Sequence, residues 1–197
     1  MHYAKFFSLA ALAFASAANA AVIDFEAIPE FGVVDNQYPG VFFSSPGSFV
    51  EVGSYGTPWG TSPPNIACPR NFSSYCGGDL EVLFSSSVSG LQFYFTGDNF
   101  AGIVGGASIF DSGNTLLAST VLVGDGDIST AHLVDFSSFA SVERLVVTIS
   151  FDEFNLSGLG FDDFSFNAAQ AVSAPSSTSM IALGLGLFAC SWRRMRA

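Results

Sequence analysis

The chain has 197 residues with 17 acidic and 6 basic side chains, a formal charge of −11, yet only 12% of it is charged and 49% is hydrophobic. Its 22 Phe, 5 Tyr and 2 Trp exclude a disordered acidic tail, because that much apolar surface offsets the chain entropy of one domain. The length suits a single core, and the lack of a basic footprint excludes nucleic acid as a partner.

In chain order, Lys5 precedes an apolar stretch from Phe6 to Ala17, and Ala18-Asn19-Ala20 follows as small-x-small. This order reads as a secretory signal helix over 1–20, cut after Ala20 so that the mature chain starts at Ala21. The domain itself is expected over 21–170. All seventeen acids but only Arg70 and Arg144 of the basic residues fall between 21 and 173, a net −15 with no lysine. Such a surface repels anionic polymers and attracts divalent cations.

The body shows period-two alternation with β-branched and aromatic residues and no helical period beyond about two turns. Strands are expected at Val22 to Phe25, Val41 to Ser44, Phe49 to Val52, Leu80 to Phe84, Gly90 to Thr96, Ile103 to Phe110, Thr115 to Val123, His132 to Asp135, Arg144 to Ser150 and Leu159 to Phe166. Asp24 and Glu26 stand two apart, which places them on one face of the first strand. Asp111-Ser112-Gly113-Asn114 is a hairpin turn, since Gly and Asn tolerate positive φ. Many short strands with turn signals predict an all-β, antiparallel β-sandwich of jelly-roll type.

Between Gly53 and Gly78 the sequence is rich in Gly and Pro and reads as an excursion without strands. Cys68 and Cys76 are expected to pair across it, because an exported chain meets an oxidising compartment. Tyr55, Trp59, Phe72 and Tyr75 share this excursion and form a candidate aromatic platform for sugar rings, with Glu51 or Asp79 as acceptors for hydroxyls. Gly124-Asp125-Gly126-Asp127 is a second acidic loop that lacks the remaining ligands of an EF-hand. His132 is the one histidine left after the signal, so a nucleophilic triad finds no ready base.

A Ser/Ala/Pro linker over 171–179 leads to the apolar run Met180 to Trp192 and then to Arg193, Arg194 and Arg196. The segment 180–197 reads as a short C-terminal transmembrane helix with its arginines on the cytoplasmic side.

Signal, single domain, Pro175-containing motif, apolar helix and arginine cluster together resemble the PEP-CTERM class of exported proteins of Gram-negative bacteria. The body resembles the galactose-binding and carbohydrate-binding jelly rolls found in that class. Three stretches carry this second likeness: Ile23 to Glu26 leading to Asn36 to Phe43, Ile109 to Asn114, and Gly160 to Phe166. The first resemblance implies sorting by an exosortase-like membrane enzyme and a link to exopolysaccharide and biofilm. Here Val172-Ser173-Ala174-Pro175 departs from Val-Pro-Glu-Pro by keeping one proline and no glutamate. The second implies that first and last strands pair and that Asp24, Glu26, Asp162 and Asp163 help to hold a structural calcium.

The expected function is therefore a non-catalytic protein of the cell envelope or extracellular matrix that binds or scaffolds polysaccharide. A glycan-active hydrolase or lyase on the same fold, and a coat protein without a specific ligand, are the alternatives.

Overall fold

The computed structural model describes residues 19–54, 61–62, 64–71, 76–97, 101–150 and 158–168. Ala18, the four rings of the expected aromatic platform, and the tail with Pro175, Arg193, Arg194 and Arg196 lie outside these residues. Among the described residues no helix is long and apolar enough to cross a membrane.

Among the described residues eleven strands follow one another: β1 Asn19–Ile23, β2 Val33–Val34, β3 Val41–Ser44, β4 Val50–Ser54, β5 Asn65–Pro69, β6 Leu80–Thr96, β7 Ala101–Phe110, β8 Leu116–Asp125, β9 His132–Phe136, β10 Val142–Ile149 and β11 Gly160–Ala168. Every pairing between them is antiparallel. All eleven belong to one compact unit, Ala18–Ala169.

Strand β6 organises the whole. Its first half pairs with β3 and β10, and its second half with β11 and β9. Leu80, Val82 and Phe84 are buried in the first half, and Leu91, Phe93 and Phe95 in the second. Inward positions thus change from even to odd along the strand, although side chains in a regular strand alternate strictly. The change falls at Ser85 to Gly90, where Gly90 takes a φ of 69°, a left-handed conformation that glycine adopts without a Cβ clash.

Each half then belongs to its own sheet. The first sheet runs β3-β6-β10-β7-β8, and the second runs β2-β4-β5-β11-β6-β9, with β1 also pairing with β11. One apolar cluster lies between them, taking Leu145, Ile109 and Leu122 from the first sheet and Phe93, Phe161 and Phe164 from the second. This is a sandwich. Phe164 is its centre, stacked on Phe93 at 5.1 Å and 11° and edge-on to Phe43 of the facing sheet at 5.4 Å. Such pairs add stabilisation beyond the area they bury.

Eight of the ten expected strands fall within three residues of observed ones, and the other two, Leu80 to Phe84 and Gly90 to Thr96, are parts of the continuous β6. The Asp111 to Asn114 turn closes β7 on β8 as expected, with Asn114 at a φ of 60° and its amide donating to the Asp111 carbonyl at 3.0 Å. The excursion from Gly53 to Gly78 is not strandless, because β5 crosses its middle with all five residues buried. The disulfide Cys68–Cys76 closes the segment after it.

Candidate functional site

Two features of this domain carry chemistry: an acidic corner around β11 and the solvated face of the first sheet. The corner is built by the pairing of the first and last strands. β1 meets β11 with Ile23 opposite Phe164, so Asp24, one residue on, and Asp163, one residue back, come to the same level. Asp24 and Glu26 do not share a strand face, however, because β1 stops at Ile23. Phe25 takes a φ of 61° and is fully buried. The chain turns there to bury the ring and leaves the two acids exposed on either side. Glu26 reaches across to the amide of Asn65 at 3.0 Å.

Asp162 is completely buried. Its Oδ2 accepts the amides of Thr61 at 2.9 Å and Ser62 at 3.0 Å, and its Oδ1 accepts the amide of Asp163 at 2.8 Å. The hydroxyls of Thr61 and Ser62 donate to Asp163, the latter at 2.8 Å. The two aspartates thus clamp the stem by which the chain returns into β5. Burial pushes the Asp162 carboxyl up to about 6, with the Asp163 charge acting in the same direction and the amide of Ser62 acting against both. Nearby, burial and then the charges of Asp24, Glu26 and Asp162 push the Tyr38 phenol up to about 12, against a lowering contribution from the Phe25 backbone.

This donor set fits a hydrogen-bonded anchor and does not fit a cation cage. Calcium takes six to eight oxygens, whereas the oxygens of Asp162 already face N–H groups. Among the described residues no three acidic, His or Cys side chains converge as a metal site. In the second acidic loop Asp125 and Asp127 cap their own turn: the amide of Asp127 donates to Asp125 at 2.8 Å and that of Ser129 to Asp127 at 2.9 Å. The amide of Asp127 holds Asp125 below the usual aspartate range, and the hydroxyl of Ser129 at 2.6 Å, then its amide, do the same for Asp127. Both aspartates are exposed.

The stems of the aromatic excursion are informative although its rings lie outside the described residues. β4 and β5 pair from Ser54 with Asn65 to Val50 with Pro69. Ser54, which precedes Tyr55 and Trp59 in the chain, therefore stands at the Asn65 end of β5, and Arg70 and Asn71, which precede Phe72 and Tyr75, follow its Pro69 end, roughly 13–16 Å away for a strand of this length. The acids expected to serve sugar hydroxyls there are occupied inside the domain. Glu51 is buried and paired with Arg70 at 3.4 Å. Asp79 accepts the amide of Ile149 at 2.9 Å.

The first sheet's outer face carries a feature that sequence reasoning missed. Phe42 lies opposite Leu83, Leu83 opposite Arg144, Arg144 opposite Phe110, and Phe110 opposite Leu116. Directly opposed residues share a face, so these five form one row across five strands, roughly 19 Å at ~4.8 Å per strand. The Arg144 guanidinium lies over the Phe110 ring at 4.4 Å and bonds Glu81 at 3.4 Å. Beside this row runs a second of Ser44, Glu81, Val146, Ser108 and Ser119. At its β3 end the first row opens into a shallow pocket of about 270 Å³ that Phe42 and Leu83 share with Asn36 and Tyr38. A strip of apolar faces beside hydroxyls and a paired arginine is able to receive a flat ligand with one apolar face and polar edges. The only signal in the sequence was that Phe42, Leu83 and Phe110 take the outward positions of their strands.

The residues and pairings define an all-β antiparallel sandwich. No family model matches the chain, and no curated protein matches it. Solved structures similar to it include an arabinose-bound α-L-arabinofuranosidase at 12% identity and a TM-score of 0.45, over 73% of this chain and 25% of that one. The adhesin domain K3 of Lys-gingipain from Porphyromonas gingivalis W83 is similar at 13% identity and a TM-score of 0.42, over 77% of this chain and 100% of that one. A family 6 carbohydrate-binding module from Clostridium cellulolyticum in complex with xylose is similar at 15% identity and a TM-score of 0.35, over 70% and 95%. This chain spans only a quarter of the arabinofuranosidase's length.

Proposed function

We propose that the domain is a non-catalytic, exported jelly roll that binds or scaffolds polysaccharide at the outer face of its first sheet. The observation that carries this reading is the row from Phe42 to Leu116, in which aromatic and aliphatic side chains are interrupted by Arg144 held over Phe110. Sugar rings present C–H faces that such side chains cover, and equatorial hydroxyls that a guanidinium, a carboxylate and serines bond. The row is open and spans the sheet, which suits a polymer lying across it better than a small molecule enclosed in a cleft.

Delivery follows from the two ends. A signal cut after Ala20 exports the chain. The tail with Pro175, Arg193, Arg194 and Arg196 engages an exosortase-like enzyme and holds the protein transiently at the inner membrane, before it is placed at the envelope or in an exopolysaccharide or biofilm matrix.

The test is affinity electrophoresis of the protein through gels containing a panel of bacterial exopolysaccharides and plant glucans and xylans. Retardation by at least one polymer, lost in the Phe42→Ala/Phe110→Ala double variant, supports the reading. Release of shorter oligosaccharides from the polymer would instead favour a hydrolase or lyase.

A further inference from the structure

The pocket of about 270 Å³ at the β3 end of the row differs in chemistry from the row itself. The row is an open strip with Arg144 and Glu81 along it. The pocket has carbon walls from Val41, Phe42, Leu83 and Phe84, and no charged side chain lines it. Asn36, Tyr38 and Ser85 also reach it. The Tyr38 hydroxyl is buried, so the polar side-chain groups left to the pocket are the Asn36 amide and the Ser85 hydroxyl.

Local structure fixes this frame. Tyr38-Pro39-Gly40-Val41 forms a tight turn in which the Val41 amide donates to the Tyr38 carbonyl at 3.0 Å. Proline sets the first corner of such a turn, and Gly40 supplies the second with a φ of 80°. The Ser85 amide then donates to the Gly40 carbonyl at 2.8 Å, while Val41 stands opposite Phe84 and Phe42 opposite Leu83. A Cβ at position 40 would stand only 3.0 Å from the Ser85 Oγ. Glycine there keeps that hydroxyl clear as well as making the turn.

The lining selects its occupant by chemistry. An amine or a carboxylate would give up water with no counter-charge in the pocket, and the net −15 between residues 21 and 173 repels a carboxylate further. A sugar edge bearing only hydroxyls would lose hydration against the apolar walls. A bare methyl, as on a deoxy sugar, would suit the walls but displace water from the Asn36 and Ser85 donors without replacing it. An acetyl group has both parts, a methyl for the walls and a carbonyl oxygen for the two donors.

We propose that this pocket receives an acetyl substituent of the bound polysaccharide, which places an acetylated sugar at the β3 end of the row. The proposal rests on the row being the polysaccharide site. Esters on oxygen and amides on nitrogen present the same methyl and carbonyl, so either source fits the walls and donors.

Affinity electrophoresis of the full chain through two matched pairs of polymers tests it: acetylated xylan beside the same xylan after mild alkaline deacetylation, and glycol chitin beside hydroxyethyl cellulose. In at least one pair the acetylated member should bind about tenfold more tightly, the size of one buried hydrogen-bond partner gained. Preference in the xylan pair assigns an O-acetyl group, and preference in the chitin pair an N-acetyl group. In Asn36→Ala/Ser85→Ala, with an unchanged circular dichroism spectrum, the ratio within that pair should fall to about one. Equal binding of both members of each pair by the wild type would overturn the acetyl pocket and leave the polysaccharide reading standing. A preference that survives the double variant would place the acetyl group elsewhere and overturn the assignment. Retardation by no polymer, in these pairs or in the wider panel, would overturn the polysaccharide reading and this pocket with it.

Discussion

Replacing Asp162 with Asn removes a buried charge while keeping the outline of the side chain. In the folded protein this carboxyl is pushed from 3.8 up to about 6, chiefly by burial. Unfolded, it loses its proton near 3.8. Between these values the native state binds more protons than the unfolded one, so stability falls as pH rises. The contribution is fully present below about pH 4 and lost above about pH 6. At ~1.4 kcal/mol per tenfold change in acidity the difference is about 3 kcal/mol, and of order 2 once water at the exposed Thr61 end screens the charge. A protonated Asp still accepts on both oxygens, whereas the NH2 of Asn only donates, and both Asp162 oxygens face amide N–H groups. Asp162→Asn should therefore be less stable than wild type at pH 4 by about 1–3 kcal/mol, with that deficit smaller by about 2 kcal/mol at pH 7. Urea denaturation followed by circular dichroism at pH 4, 5, 6 and 7 measures this, because the other acids are common to both proteins and cancel in the difference. A deficit that stays the same from pH 4 to pH 7 would refute the reasoning, showing that burial does not raise the Asp162 carboxyl in the folded protein.

Three further outcomes are expected. Phe164→Ala removes a fully buried ring stacked on Phe93 and edge-on to Phe25 and Phe43, and should cost about 3–5 kcal/mol in urea unfolding; a loss below 1 kcal/mol would mean that the two sheets do not meet there. Cys68→Ser/Cys76→Ser opens a loop with a separation of 8 residues and should cost about 2.5 kcal/mol by the loop-entropy relation; an unchanged urea midpoint would contradict it. Because Asp162 and Asp163 are filled by N–H and O–H donors, EDTA should leave the thermal midpoint of the protein unchanged. A rise on adding millimolar calcium would show a cation site that this donor set does not describe.

Much of the architecture was legible because period-two alternation survives wherever a strand has one wet face. Val41 to Ser44 and Arg144 to Ser150 show it plainly. β5 escaped for the converse reason: Asn65 to Pro69 is buried at every position and carries no alternation, and prolines on both sides imitate a loop. The serines at 85 to 87 fall between two expected strands, yet they lie within a single strand as it passes from one sheet to the other.

The acidic corner was half visible. The expected pairing of first and last strands is present, since β1 pairs with β11, but Asp24 and Glu26 lie beyond the end of β1. The partners of Asp162 and Asp163 did not show, because Thr61 and Ser62 lie about 100 residues away and only the placement of β5 beside β11 brings them near. The row on the first sheet was invisible for a related reason. Its members come from β3, β6, β10, β7 and β8, and their alignment depends on register shifts in the β6–β10 and β7–β8 pairs. Periodicity fixes which face a side chain takes; only register fixes its neighbours.

The most direct measurement is a titration calorimetry comparison of wild type with Arg144→Ala, using whichever polysaccharide retards the protein. Arg144 is about a third exposed and paired with Glu81, so its loss should cost the fold no more than about 1–2 kcal/mol. Affinity falling at least tenfold in a variant that still folds would agree with a polymer lying along the row from Phe42 to Leu116. Wild-type affinity in Arg144→Ala would contradict it.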